Sequence, residues 1–203
     1  MKRSMAIAGV MMIISSLVAA GRASAQEGAG PGKFEVTLIP AGATFFLSKD
    51  EGPSFRNFNV AGSAGVNFNR VVGVEGEVTG SFGLSQHLGD LPVSVDTPNM
   101  LSYTGNVVVG LSRHSLVPYV TGGAGGLSVY TSRDLGLDSN VGTFLTGNVG
   151  GGLKWYQSGG RWGLRGDYRF QVVRSKDDAP TFFGQETREG NRIYGGVIVN
   201  VVK

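Results

Sequence analysis

From Phe58 to Leu84 apolar and polar residues alternate almost without a slip, in two long stretches joined at Asn69-Arg70. In the first, Phe58, Val60, Gly62, Ala64, Val66 and Phe68 stand against Asn57, Asn59, Ala61, Ser63, Gly65 and Asn67. In the second, Val72, Val74, Gly76, Val78, Gly80, Phe82 and Leu84 stand against Gly73, Glu75, Glu77, Thr79, Ser81 and Gly83. Side chains along a strand point to opposite faces with period two, so the pattern predicts a hairpin with one apolar and one polar face. Its turn is expected to be two residues long. Strands of ordinary globular proteins run to about five or six residues. These are roughly twice as long, which suits strands that cross a bilayer, where about 9–11 residues are needed.

The same alternation recurs along the chain. Lys33 to Leu47 reads as a first strand, with Phe34, Val36 and Leu38 opposite Glu35 and Thr37. Pro40 cannot donate a ladder hydrogen bond, so a bulge or change of register is expected there. Met100 to Ser112 is the fourth strand, with Leu101, Tyr103, Val107, Val109 and Leu111 on its apolar face. Val117 to Thr131 is the fifth, and its GGAGG centre leaves its phase open. Thr143 to Tyr156 places Leu145, Val149, Leu153 and Trp155 opposite Thr146, Asn148 and Lys154. Arg161 to Arg174 places Trp162, Leu164, Tyr168, Phe170 and Val172 opposite Arg165, Asp167, Arg169 and Gln171. The last strand sets Ile193, Val197, Val199 and Val201 against Arg192, Tyr194, Ile198 and Asn200.

Eight strands result, with long loops after strands one, three, five and seven and short turns after two, four and six. Bacterial transmembrane barrels share this asymmetry, with long loops outside, short turns on the periplasmic side and an even strand count that leaves no open edge. A soluble lipocalin-type barrel is the alternative, with its apolar side chains inside. The placement of charge and aromatics favours the membrane. Glu75, Glu77, Lys154, Arg165, Asp167, Arg169 and Arg192 share the polar face at mid-strand. On a lipid face Arg or Lys would cost about 2–4 kcal/mol each at the midplane. Phe68, Tyr103, Trp155 and Trp162 lie on the apolar face near strand ends, as interfacial aromatics do. The expected fold is an all-β, eight-stranded antiparallel up-and-down transmembrane β-barrel, following a cleaved signal peptide.

The N-terminus supports that compartment. Lys2-Arg3 precedes an apolar run from Met5 to Ala20, and Ala23-Ser24-Ala25 forms a small-residue cleavage site before Gln26. Residues 1–25 are therefore expected to be a signal peptide, 26–32 a flexible leader, and 33–203 the barrel. Loss of Lys2, Arg3 and Arg22 removes three of the 18 basic residues and leaves 15 against 15 acidic ones. The net charge of +3 then says nothing of nucleic acid. There is no Cys, which excludes disulfides, thiolate metal sites and a thiol nucleophile.

Three segments, PYVTGGAGG (Pro118 to Gly126), VGGGLKWY (Val149 to Tyr156) and GLRGDYRF (Gly163 to Phe170), resemble later strands of the outer-membrane protein β-barrel domain family. That family includes OmpX-like barrels and barrels like the OmpA N-terminal domain. The resemblance implies an outer-membrane location, no cofactor and no universal activity. Such barrels usually end in an aromatic residue read by the assembly machinery, whereas this chain ends Val201-Val202-Lys203. The alternation of the last strand is kept, so insertion is still expected.

Catalytic candidates are sparse. His87 with Ser85 and Asp90, at the outer end of strand three, is the nearest approach to the Ser–His–acid set that a lipid A-modifying enzyme would need. A solvated loop histidine is the favoured reading of it. His114-Ser115 falls in a tight turn. Gly122 to Gly126 lacks the Lys-Ser/Thr of a phosphate loop, and no loop carries a calcium-binding spacing. No catalytic, cofactor or metal site is expected. The inner charges admit two readings: a narrow pore lined by Arg165, Asp167 and Arg169, or a filled lumen. In the second, Glu75 and Glu77 pair with Arg165, Arg169 and Lys154. Eight strands enclose an interior that side chains fill, which favours the second. The partners expected are outer-membrane lipid and lipopolysaccharide, with acidic outer loops (Asp50-Glu51, Asp90, Asp96, Asp134, Asp138, Asp177-Asp178, Glu186, Glu189) available to a cell-surface or host partner. A structural or adhesion-like role as a monomer is expected.

Overall fold

The computed structural model describes residues 30–46, 55–87, 94–96, 98–130, 140–175 and 186–202. The expected signal peptide, residues 1–25, and Asp50, Glu51, Asp90, Asp134, Asp138, Asp177 and Asp178 lie outside the described residues. The strands are β1 (Phe34–Phe46), β2 (Phe55–Asn67), β3 (Val72–Gly83), β4 (Ser85–His87), β5 (Ser94–Asp96), β6 (Asn99–Gly110), β7 (Leu116–Tyr130), β8 (Asn140–Tyr156), β9 (Trp162–Arg174) and β10 (Thr187–Val202). Eight of them close into a barrel in the order β1-β10-β9-β8-β7-β6-β3-β2, and every neighbouring pair is antiparallel. The remaining two, β4 and β5, form a separate two-stranded ribbon within the loop between β3 and β6.

Exposure follows the alternation and labels the faces. Along β9, Trp162, Leu164 and Tyr168 face out while Arg165, Asp167 and Arg169 are buried. Across the barrel, Val, Leu, Ile and Phe side chains are exposed, with Leu38 at 63% and Val149 at 60%, whereas Glu, Asp and Arg lie inside. A soluble barrel has the reverse arrangement. Only a surrounding hydrocarbon phase makes this outer surface favourable, since apolar area in water is costly.

Several local features differ from the alternation read alone. Phase changes once in β1. Ile39 and Gly42 both turn inward, Pro40 and Ala41 are both exposed, and register shifts against β10 and β2 bracket the same residues. The missing N–H of Pro40 is the cause. In β7, GGAGG carries no slip, and pairing runs evenly with β6 from Tyr119 to Tyr130 and with β8 from Leu116 to Val129. The first short turn spans 68–71 rather than two residues, and Asn69 Oδ1 accepts the Val71 and Val72 N–H groups at 2.7 and 2.8 Å. The last strand begins at Thr187, several residues before Arg192.

Glycine has a definite purpose in the β6–β7–β8–β9 wall. A Cβ added at Gly125 would collide with the Tyr103 carbonyl oxygen, and one at Gly152 with the Gly166 carbonyl oxygen. By contrast, a Cβ at Gly105 meets nothing within 4 Å. The inward glycines allow close approach of neighbouring strands and leave lumen volume for large side chains elsewhere. Gly125→Ala is therefore expected to remove most of the folded, heat-shifted band in detergent gels, whereas Gly105→Ala keeps it. Equal yields from the two variants would contradict the close approach.

Candidate functional site: the charged lumen

The alternation of β3 turns Glu75 and Glu77 inward, and that of β9 does the same for Arg165, Asp167 and Arg169. In the strand order these two strands stand on opposite sides of the barrel. Their side chains meet across the lumen. The Arg165 guanidinium donates through Nη1 and Nη2 to the two Glu75 carboxylate oxygens, the Nη2 bond at 3.2 Å. It also reaches Asp167 Oδ2 through Nη2 at 2.8 Å. Arg169 lies between three carboxylates: Nη2 is 3.2 Å from Glu75 and 3.1 Å from Glu77, and Nε donates to Asp167 Oδ1 at 3.0 Å. Arg192, from β10, donates to Glu77 Oε1 at 2.6 Å and to Thr79 Oγ1 at 3.1 Å. Arg169 has no exposed surface at all.

Lys154 takes a different partner from those expected. Its Nζ donates to Glu35 Oε2 at 2.7 Å, and Tyr156 OH donates to Glu35 Oε1 at 2.6 Å. The seven predicted charged residues are all buried, and Glu35 joins them as a fourth acid. Within this bonded network four acids thus face four bases and the charges balance; Arg188, earlier on β10, is a further buried base. This balance matters because an ion taken from water into a low-dielectric interior loses several kcal/mol of solvation unless paired and hydrogen-bonded.

Tyrosines complete the bonding. Tyr119 OH donates to Asp167 Oδ2 and accepts Arg165 Nε at 2.8 Å. Tyr194 OH donates to Glu77 Oε2 at 2.8 Å. The Arg165 guanidinium carbon stands 5.1 Å from the Tyr119 ring centroid, and Arg192 stands 5.3 Å from that of Tyr194. Both distances fit cation–π contact. Alternation placed Tyr194 on the inner face but gave no reason to include either ring in a charge network.

Both ends of this group meet apolar side chains. Toward the long loops, Phe46, Met100, Leu127, Val129, Phe144 and Val173 form one buried cluster. Toward the short turns, Val117, Tyr156 and Ile198 form another. A sequence signal exists for the outer cluster. Phe45-Phe46, Met100-Leu101, Phe144-Leu145 and Val172-Val173 are consecutive apolar pairs at loop-side strand ends, one residue for each face. At the short-turn end, Gly30 to Gly32, within the expected leader, is held across the mouth. Asn67 Nδ2 donates to Gly32 O at 2.6 Å, Gly32 N donates to Asn200 Oδ1 at 3.3 Å, and Asn200 Nδ2 donates to Gly30 O at 3.2 Å.

The predicted aromatics all face outward. Phe68 is exposed in the first short turn, and Trp155 and Trp162 meet edge to face at 5.7 Å beside the β8–β9 turn. Tyr103 lies further into its strand than expected, where its ring covers outward-facing Gly126. Phe45, Phe58, Phe82 and Tyr168 are further exposed aromatics. Of the catalytic candidates, Asp90 lies outside the described residues, and for Ser85 and His87 the strand β4 is what is described. His114 is exposed in the β6–β7 turn with Nδ1 3.3 Å from Ser112 Oγ. Among the described residues no group of three His, Asp or Glu side chains is arranged to hold a metal ion.

The sequence matches the model of the outer membrane protein beta-barrel domain over residues 13–197, and the chain belongs to that family. Its structure is similar to that of Neisserial surface protein A, with TM-score 0.61 and 17% identity over 83% of this chain and 97% of that one. The N-terminal β-barrel domain of Pseudomonas aeruginosa OprF matches with TM-score 0.46 and 15% identity, covering 83% and 99%. The outer membrane enzyme PagL matches with TM-score 0.46 and 14% identity, covering 80% and 97%. At these identities the likeness is one of fold. No curated protein matches the sequence significantly.

The network defines an order of stability losses. Arg165→Met strips a bidentate partner from Glu75 and one from Asp167, and is expected to cost about 3–5 kcal/mol. Arg192→Met leaves Glu77 with Arg169 and Tyr194, and is expected to cost about 1–3 kcal/mol. Urea unfolding from vesicles, followed by tryptophan emission, reads both; the reverse order would count against Arg165 as the hub.

Proposed function

We propose that this chain is a monomeric, non-catalytic barrel of the bacterial outer membrane whose lumen is a filled structural core, leaving its outer loops for surface interaction. The observation that carries this reading is the network of four acids and four bases ion-paired within the barrel, with apolar clusters at both ends. A selective pore needs a ring of one charge sign along a hydrated path. Here each lumenal carboxylate bonds to a cation, Glu35, Glu75 and Glu77 to one on another strand and Asp167 to Arg165 and Arg169 of its own, and the side chains themselves occupy the lumen. The closed sheet leaves no edge for a second copy to extend, in keeping with a monomer. Residues 1–25 would act as the signal peptide that delivers the chain, and lipopolysaccharide is the lipid the outer loops would meet.

The refolded chain is expected to show no steady single-channel current in a planar bilayer, while the membrane fraction gives a heat-modifiable band. Sustained, charge-selective steps would replace the filled-core reading with a pore. Lipid A from cells with and without the protein is expected to carry the same acyl pattern. A difference abolished by His87→Ala would make the protein a lipid-modifying enzyme.

A further inference from the structure

Each short turn of the barrel carries an exposed cation. Arg70 lies in the β2–β3 turn, Arg113 in the β6–β7 turn and Arg161 in the β8–β9 turn, and Lys33 stands exposed just before β1. Among the described residues none of the four forms an ion pair, in contrast to every cation of the central lumenal network. Nor does a described carboxylate stand on this rim: Glu35, near Lys33 in the chain, is buried and bonded to Lys154 and Tyr156. The result is a one-sign edge of four unneutralised charges.

The turns hold these cations in place. The Asn69 side chain accepts the two backbone N–H groups that follow Arg70, those of Val71 and Val72. Gly160, at φ 60°, lets the β8–β9 turn close, with Gly160 N donating to Gln157 O at 2.6 Å and Gln157 N to Trp162 O at 3.0 Å. That closure sets Arg161 directly beside Trp162. On the outward face of the same rim, Phe68 and the Trp155–Trp162 pair are exposed. Indole rings of this kind settle at the headgroup level of a bilayer. The aromatics thus fix the depth of the rim, and at that depth the ligand beside a cation is a lipid headgroup.

We propose that this rim is a binding surface for anionic phospholipid headgroups of the periplasmic leaflet, with Lys33, Arg70, Arg113 and Arg161 receiving the phosphates and the aromatic side chains seated against the acyl-chain boundary. It rests on the barrel lying in the membrane as described above. Charge complementarity selects anionic over zwitterionic lipid, because a quaternary ammonium beside the phosphate offsets the attraction. A basic side chain near an anionic membrane surface is worth about a fivefold preference.

Trp155 and Trp162 are the two tryptophans of the chain, so their emission reports lipid composition at this rim. The full chain is refolded into mixed vesicles of phosphatidylcholine and phosphatidylglycerol, with brominated acyl chains on one lipid or the other. Brominated phosphatidylglycerol is expected to quench with an association constant about fivefold above brominated phosphatidylcholine, the ratio falling toward one in high salt. The variant K33Q/R70Q/R113Q/R161Q, verified as folded by its heat-shifted band, is expected to be quenched equally by both lipids. Should that variant not fold, Arg161→Gln alone is expected to lower the ratio measurably. Equal quenching of the inserted parent chain, or a preference unchanged in the variants, overturns the lipid site and leaves the barrel reading intact. A chain that gives no heat-shifted band and is quenched by neither lipid overturns both.

Discussion

A strand in hydrocarbon has no water to bond its N–H and C=O groups, and each unsatisfied group costs several kcal/mol. Closure is the only remedy for a sheet. In this chain it is made by β10, which pairs antiparallel with β1 from Phe34–Val202 to Phe46–Gly190. The even number of barrel strands makes that antiparallel seam possible. The Pro40 bulge is tolerated within β1, one of the two seam strands, because the register is recovered on both sides of it.

Closure also creates an interior that must be filled. With eight strands the space admits side chains and little else. The chain fills it in layers: apolar residues toward the long loops, charges at the centre, then Glu35, Lys154 and Tyr156 above the Gly30 to Gly32 crossing. Large central side chains need room, and inward glycines at Gly123, Gly125, Gly150 and Gly152 supply it by drawing β6 to β9 together. The glycine-rich motifs and the Arg-rich motif are therefore two halves of one packing solution.

Much of the fold was legible because the bilayer imposes long strands with strict alternation. Strand count, face assignment, loop asymmetry and the Pro40 irregularity all follow from residues close together in sequence. The inward direction of Glu75, Arg165 and Arg192 was legible for the same reason. Their partners were not. Glu35 and Lys154 stand 119 positions apart, and their contact depends on strand order and the stagger around the barrel. Tyr119 was hidden by the neighbouring GGAGG, where period two has no apolar residue to read.

By itself the sequence determined which residues face lipid and which face inward in every barrel strand but the fifth, and in the first as far as Leu38, since that depends only on the local pleat and the cost of charge in hydrocarbon. It also determined that the inner charges would need opposite partners. Tertiary structure decided which partners those are, that Arg165 and Arg169 share three carboxylates with two tyrosines, and that apolar layers bound the charged one. Those outcomes depend on which levels of distant strands face each other across a closed cylinder, a quantity that alternation along one strand does not contain.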